Sequence, residues 1–239
     1  MFPLPMPLLV LLLTLTVATF AADTAAPSGA MQEIRPGVFQ IGTILLDKTK
    51  RTATFPGKVN LLDGNLEYLL VHSTGATHES LLSTEIQPSD LHFAMLLLGA
   101  KGAGITTPAP DDAAPAQINQ EFLARAPELK GDRILIAVKW TAGDAEKTAP
   151  VEDWVLNSET KKPSPRGPWL YTGSMFRGDR FVAQAEGCFG AIVRYPGALI
   201  NNPRKGSDND TIWMPNKKVI PPLETPVEIS ITLQADPAK

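Results

Sequence analysis

The chain is poor in the residues on which most enzyme signatures depend: 239 residues hold one cysteine and three histidines. With Cys188 alone, no internal disulfide can form even in an oxidising compartment. An iron–sulfur cluster normally takes four thiolates, so this chain is expected to carry no such cofactor of its own. Cys188 lies in Gly187-Cys188-Phe189-Gly190 and reads as a small core residue, because free cysteine is among the most buried residue types. Charge of one sign is also scarce. Lys and Arg number 22 against 25 Asp and Glu, for a net charge of −3. There is no basic stripe for nucleic acid and no polybasic patch for a membrane surface.

Long apolar runs are missing except at the start. Leu8 to Phe20 is apolar but shorter than the roughly 20 residues of a membrane span, and it ends in small residues. Thr19 and Ala21 suit cleavage after Ala21, so residues 1–21 read as a signal peptide and 22–32 as a flexible leader. The expected location is secreted or periplasmic, with no stable membrane span after cleavage. Residues 33–235 are then expected to form a single domain.

Several motifs fail on inspection. A zinc metalloprotease needs two histidines four apart around a glutamate, but His78-Glu79 is followed by Leu82 where the second histidine belongs. Gly173-Ser174 is no nucleophile elbow, since Met175 and Phe176 follow it. Gly99 to Gly104 has neither phosphate-loop pattern. Asp208-Asn209-Asp210 offers oxygen ligands but lacks the glycine and terminal glutamate of a calcium loop. Arg177-Gly178-Asp179 reads as an ordinary turn.

What is present is concentrated between Leu66 and Gly99. Leu66 to Ser73 is rich in Leu, Val and Tyr and follows the turn dipeptide Asp63-Gly64, so it reads as a strand. His78 to Thr84 reads as its antiparallel return across the loop Thr74 to Thr77. That register sets His72 against Glu79 and Ser73 against His78, with His72 and His78 on opposite faces. A zinc site made from His72, His78, His92 and a carboxylate is chemically open but conflicts with this pairing. Pro88 to Leu98 reads as a buried helix, apolar nearly all round, with Pro88 in its first turn and Gly99 beyond its end. His92 within it is expected to be buried and hydrogen-bonded.

Elsewhere, Val38–Leu46 and Arg51–Phe55 suggest a hairpin, and Lys58–Leu62 leads into the central stretch. Lys101 to Gln117 reads as an exposed Pro/Ala-rich loop and Gln117 to Ala126 as a weak helix. Arg133 to Thr141 alternates as a strand. Pro150 to Leu156 is too short to decide between a helical turn and a strand. Trp169–Phe176, Phe181–Glu186 and Phe189–Tyr195 read as three strands, and Val227 to Leu233 supplies the inward face of a last one. The expected fold is α+β: a mostly antiparallel sheet with one buried helix and one or two short helices.

Gly75-x-x-His78-Glu79-Ser80, Pro88-x-x-Leu91-His92, Trp154-Val155, Pro168-Trp169, Gly173-Ser174 and Asp208-x-Asp210-Thr211-x-Trp213 together resemble the YdjY-like domain family. The resemblance spans about Ile34 to Leu233. It implies an exported domain without an established activity, sometimes found beside iron–sulfur modules.

The candidate binding residues are His78, Glu79, Asp208, Asp210 and Trp169. His78 is expected at a strand end within reach of the acidic loop, and Glu79 in a structural role. The four tryptophans could line a groove, although Trp140 lies on the apolar face of its strand, as a core residue would. The expected function is an exported, non-catalytic binding or interaction module of the cell envelope, with a small ligand or an envelope protein as partner. The alternative is a metal-assisted enzyme centred on the histidine hairpin.

Overall fold

The structure, a computed structural model, describes residues 31–103, 105–107 and 129–235. The expected signal peptide, the leader through residue 30 and the weak helix over Gln117–Ala126 lie outside the described residues. The last two leader positions do not: Met31 and Gln32 already belong to a strand.

The N-terminal half begins as a meander. β1 (Met31–Arg35), β2 (Val38–Ile41), β3 (Ile44–Asp47) and β4 (Thr52–Val59) pair antiparallel in sequence order. Alternation dictates the faces, with Ile41, Ile44, Leu46, Ala53, Phe55 and Val59 all buried. β4 runs unbroken through Pro56-Gly57, a pair that would normally end a strand. Proline is tolerated because its missing N–H falls on an edge with no partner strand at that point. The Pro56 carbonyl on that side accepts from Thr84 Oγ1 at 2.6 Å.

β5 (Tyr68–His72) and β6 (Ser80–Thr84) follow, joined through a 3-10 turn (Thr77–Glu79). They are parallel, with Tyr68 against Ser80 and His72 against Thr84. The antiparallel hairpin expected from the sequence is therefore corrected, and His72 does not face Glu79. Residues 73–79 carry the chain back along β5. This return is pinned by the Asn60 amide, which donates to the carbonyls of Thr77 (2.6 Å) and Ser80 (2.7 Å). Helix α1 (Pro88–Leu97) agrees with the sequence reading, with Pro88 at its first turn and Gly99 at φ +90° beyond its end. One side of it, at Leu96, is exposed.

Within the expected Pro/Ala-rich loop, β7 (Ile105–Thr107) lies parallel to β13 (Met175–Arg177), which also pairs with β14 (Arg180–Phe181) across the Gly178-Asp179 turn. Before these two in the chain come β8 (Asp132–Ala142), β9 (Ala145–Pro150), a 3-10 turn at Val151–Trp154, β10 (Val155–Asn157), β11 (Lys162–Pro163) and β12 (Trp169–Tyr171). The expected strand Phe181–Glu186 is instead helix α2 (Val182–Glu186), ended by Gly187 in the left-handed region. β15 (Cys188–Ala191), β16 (Ile200–Asn201), β17 (Trp213–Pro215) and β18 (Pro226–Leu233) complete the chain.

Hydrogen bonding joins β4, β18, β8, β12, β16, β15, β5 and β6 in that order, and β6 pairs back onto β4. The expected α+β sheet is thus overturned: the chain is mostly β, 43% strand and 12% helix, and eight strands close into a barrel. Two of the ring's pairings, β5 with β6 and β15 with β16, are parallel. Side chains fill the interior, as they do in barrels of this strand number. Ile229 and Ile231 of β18, Ile136 and Val138 of β8, Phe55, Trp169 and Tyr171 are all buried. No helix among the described residues is long and apolar enough to cross a membrane.

Candidate functional site

Outside the ring, β10 forms a small sheet with β11 on one side and β17 on the other. Its register puts Lys162, Asn157 and Trp213 in one row. Asn157 also starts the turn between β10 and β11, its Oδ1 accepting from the backbone N–H groups of Glu159 (3.0 Å) and Thr160 (2.9 Å). This is the local bonding that makes asparagine a turn former.

The segment from Arg204 to Thr211 faces this turn and is held from several sides. The Arg194 backbone N–H donates to Ser207 O at 2.6 Å, and Ser158 N–H to Ile212 O at 2.7 Å. Trp213 Nε1 donates to Gly206 O at 2.9 Å. Gly206 stands at φ +88°, and a Cβ there would come within 2.7 Å of Ile212 Cδ1, so the bend requires glycine. Asn209 Oδ1 takes both the N–H and the hydroxyl of Thr211, at 2.9 and 2.8 Å.

Between the two segments lies an open cleft of about 1090 Å³. Its charged lining is Glu159, Lys162, Arg194, Lys205, Asp208 and Asp210; Pro163, Pro165, Ile212 and Trp213 supply apolar lining. Behind it Arg204 acts as a clasp. Its guanidinium donates to Gly167 O (2.8 Å), to Glu152 Oε1 (2.6 Å), to Asn202 Oδ1 (3.1 Å) and to Pro165 O. It lies 4.9 Å from the Trp169 ring centroid, a cation over a π face. The pair is secluded, with side-chain exposures of 9% for Arg204 and 3% for Glu152. Burial pulls the Arg204 pKa below its ordinary value, and the Glu152 carboxylate works against that shift.

The sequence candidates fall into two groups and a remainder. Asp208 and Asp210 line the cleft. His78 is 79% exposed and sits 3.7 Å from the carboxylate of its neighbour Glu79. Both act on Glu67, whose carboxyl is held above its usual range first by burial, then by the Glu79 and Asp210 charges, with His78 opposing. His78, Glu79 and Asp210 therefore share one electrostatic neighbourhood, centred on a residue the sequence reading passed over. Glu67 carried no motif signal. What gathers these groups is backbone bonding: Glu67 N–H to Glu79 O, Leu66 N–H to Trp213 O, and Ile192 N–H to Glu67 O. Trp169 belongs to neither group, being buried against Arg204.

The other histidines lie elsewhere. His72 Nε2 is 3.2 Å from the Gln87 amide, and His92 Nδ1 is 2.7 Å from the Tyr171 hydroxyl. Among the described residues, no three His, Cys, Asp or Glu groups converge in a way that could hold a metal. Cys188 is fully buried, and that burial, followed by the Glu186 charge, raises its thiol pKa well above the ordinary value.

Comparison with curated proteins and with solved structures returns no match. A family model for the YdjY domain matches residues 44–232, from β3 into β18, with the cleft and the His78-Glu79 segment inside the matched range. By that match over most of its length, the chain belongs to the YdjY domain family.

Proposed function

We propose that this protein is an exported, non-catalytic binding module of the cell envelope, secreted or periplasmic, which takes a small ligand in the cleft between the Asn157–Pro163 turn and the Arg204–Thr211 segment. The cleft itself carries the proposal. Its volume is just above the upper end of the range for small-molecule sites, and both of its walls are fixed by backbone hydrogen bonds. Binding groups commonly sit on loops held by a rigid scaffold, as these are.

The reactive groups elsewhere are spent on the core. Cys188 is sealed against becoming a thiolate, which is the form that attacks. His92 is tied to Tyr171. The histidine-centred, metal-assisted reading has no comparable support, because its three histidines stand in three separate settings. Any iron–sulfur chemistry near this protein would belong to a partner, as Cys188 offers one inaccessible thiol.

The test is capture of a ligand from envelope extract by the mature protein, read by native mass spectrometry, alongside a variant that fills the cleft, Thr160→Trp. The expected result is a small molecule retained by the wild type and lost from a variant of unchanged thermal stability. Equal retention by both would place the binding elsewhere and overturn the proposal.

A further inference from the structure

Several charged side chains of the described surface are paired. Lys58 meets Glu224 at 2.6 Å, Lys139 meets Glu228 at 3.0 Å, Arg166 meets Asp153 at 2.7 Å and Lys217 meets Asp63 at 2.8 Å. The cleft gathers charges of both signs that are not. Among the described residues, Glu159, Lys162, Lys205 and Asp208 make no ion pair and no side-chain hydrogen bond, although both signs line the same 1090 Å³. Several neutral groups of the lining are committed. The Asn157 amide oxygen closes its turn, Asn209 Oδ1 is taken by Thr211, and the Trp213 N–H is given to Gly206.

We infer that the cleft takes a ligand bearing both an ammonium and a carboxylate, a zwitterionic amino acid or short peptide; this rests on the cleft being the binding site. Lys162 and Lys205 supply ammonium donors for the carboxylate, and Asp208 and Glu159 supply acceptors for the ammonium. Charge-assisted hydrogen bonds of this kind are about twice as strong as neutral ones. The lining balances three cations against three anions, so it creates no net field to draw in a polyanion or a polycation.

Two other ligand classes fit less well. A neutral sugar is read by amide groups and an exposed aromatic face, but Trp213 is 1% exposed and the Oδ1 acceptors of Asn157 and Asn209 are already taken. A peptide adding itself as a strand to the free edge of β11 would meet Pro163, which has no N–H to offer. The ligand is therefore held by its charges and not by a β ladder.

The experiment is an NMR titration of the ¹⁵N-labelled mature protein with trialanine, N-acetyl-trialanine, trialanine amide and maltotriose, following the Trp213 indole and the backbone of residues 157–162 and 204–211. Free trialanine is expected to shift these signals, and capping either terminus to weaken the response about tenfold, the scale of one lost charge-assisted contact. Asp208→Lys should weaken trialanine and the amide alike, while Lys205→Glu should weaken trialanine and the N-acetyl form. Equal shifts from capped peptides or from maltotriose would overturn the zwitterion and leave the cleft standing as a site. No shift at these positions with any of the four would overturn both.

Discussion

At His92 the imidazole packs against Phe181, with ring centroids 5.0 Å apart, and its Nδ1 shares a 2.7 Å hydrogen bond with the Tyr171 hydroxyl. Burial holds the His92 pKa below its ordinary 6.5 and pushes the Tyr171 phenol upward, so both partners stay neutral near pH 7. The sign of the linkage follows. Below about pH 6.5 the unfolded chain binds a proton that the folded chain refuses, so stability is lost as pH falls through that value toward the lower folded pKa. Glu67 has the opposite sign, since its raised carboxyl takes up protons sooner in the folded state. Urea midpoints should therefore drop from pH 7.5 to pH 5.5 in the wild type and drop less in His92→Gln. An identical drop in both proteins would show that His92 does not carry the effect.

At the scale of elements, the sequence was legible where periodicity and local chemistry decide the outcome. β8 and β18 alternate cleanly and α1 has its proline and its glycine, so all three lie where the pattern puts them. It was illegible where distant groups decide. The run FVAQAE reads as a strand, yet the Ala183 N–H is capped by Ser174 Oγ, nine residues away in sequence and itself held at φ +66°. The parallel course of β5 and β6 rests on Gly75, where a Cβ would meet the carbonyls of Glu186 and Gly187 at 3.1 and 3.2 Å. The candidate site shows the same division. Asp208 and Asp210 announced themselves as an acidic turn, whereas Glu67 and the Arg204 clasp had no local signal. That clasp joins the segments around Glu152, Pro165 to Gly167 and Asn202, so its loss should be felt in all of them. Arg204→Ala strands a buried carboxylate and is expected to cost about 3–5 kcal/mol. Denaturation of the Arg204→Met, Glu152→Gln double variant should recover part of that loss. A double variant no more stable than Arg204→Ala would mean that the guanidinium's hydrogen bonds and its place over the Trp169 ring, and not the stranded charge, make the clasp.

The whole molecule depends on one seam. β4 uses one edge entirely for β18 and divides the other, with Thr52–Thr54 on β3 and Lys58–Val59 on β6. β8 is divided in the same way, between β12 at its start and β9 along the rest. Each long strand thus serves the barrel at one end and an outer hairpin at the other. The ring closes through only two residue pairs, Lys58 with Ser83 and Val59 with Leu82, at the end of a chain of non-local contacts. No local pattern could reveal this, because each strand alone is equally compatible with an open sheet. Gly57 sits where β4 passes from one partner to the other. A Cβ there would come 2.7 Å from Ile229 Cδ1 and 3.0 Å from the Ser83 backbone oxygen. The Ile229 methyl can turn aside, but the Ser83 carbonyl is part of the seam. Gly57→Val is therefore expected to force β6 away from β4 at a cost of about 1–3 kcal/mol, the usual penalty for overfilling a packed site. Native-state hydrogen exchange separates this outcome from general destabilisation. With the seam alone disturbed, amides of β6 and of residues 58–61 lose protection while the paired amides of β18 and β8 keep theirs. Uniform loss of protection across all four strands would show that the barrel opens as one unit and that the seam is not its weak point.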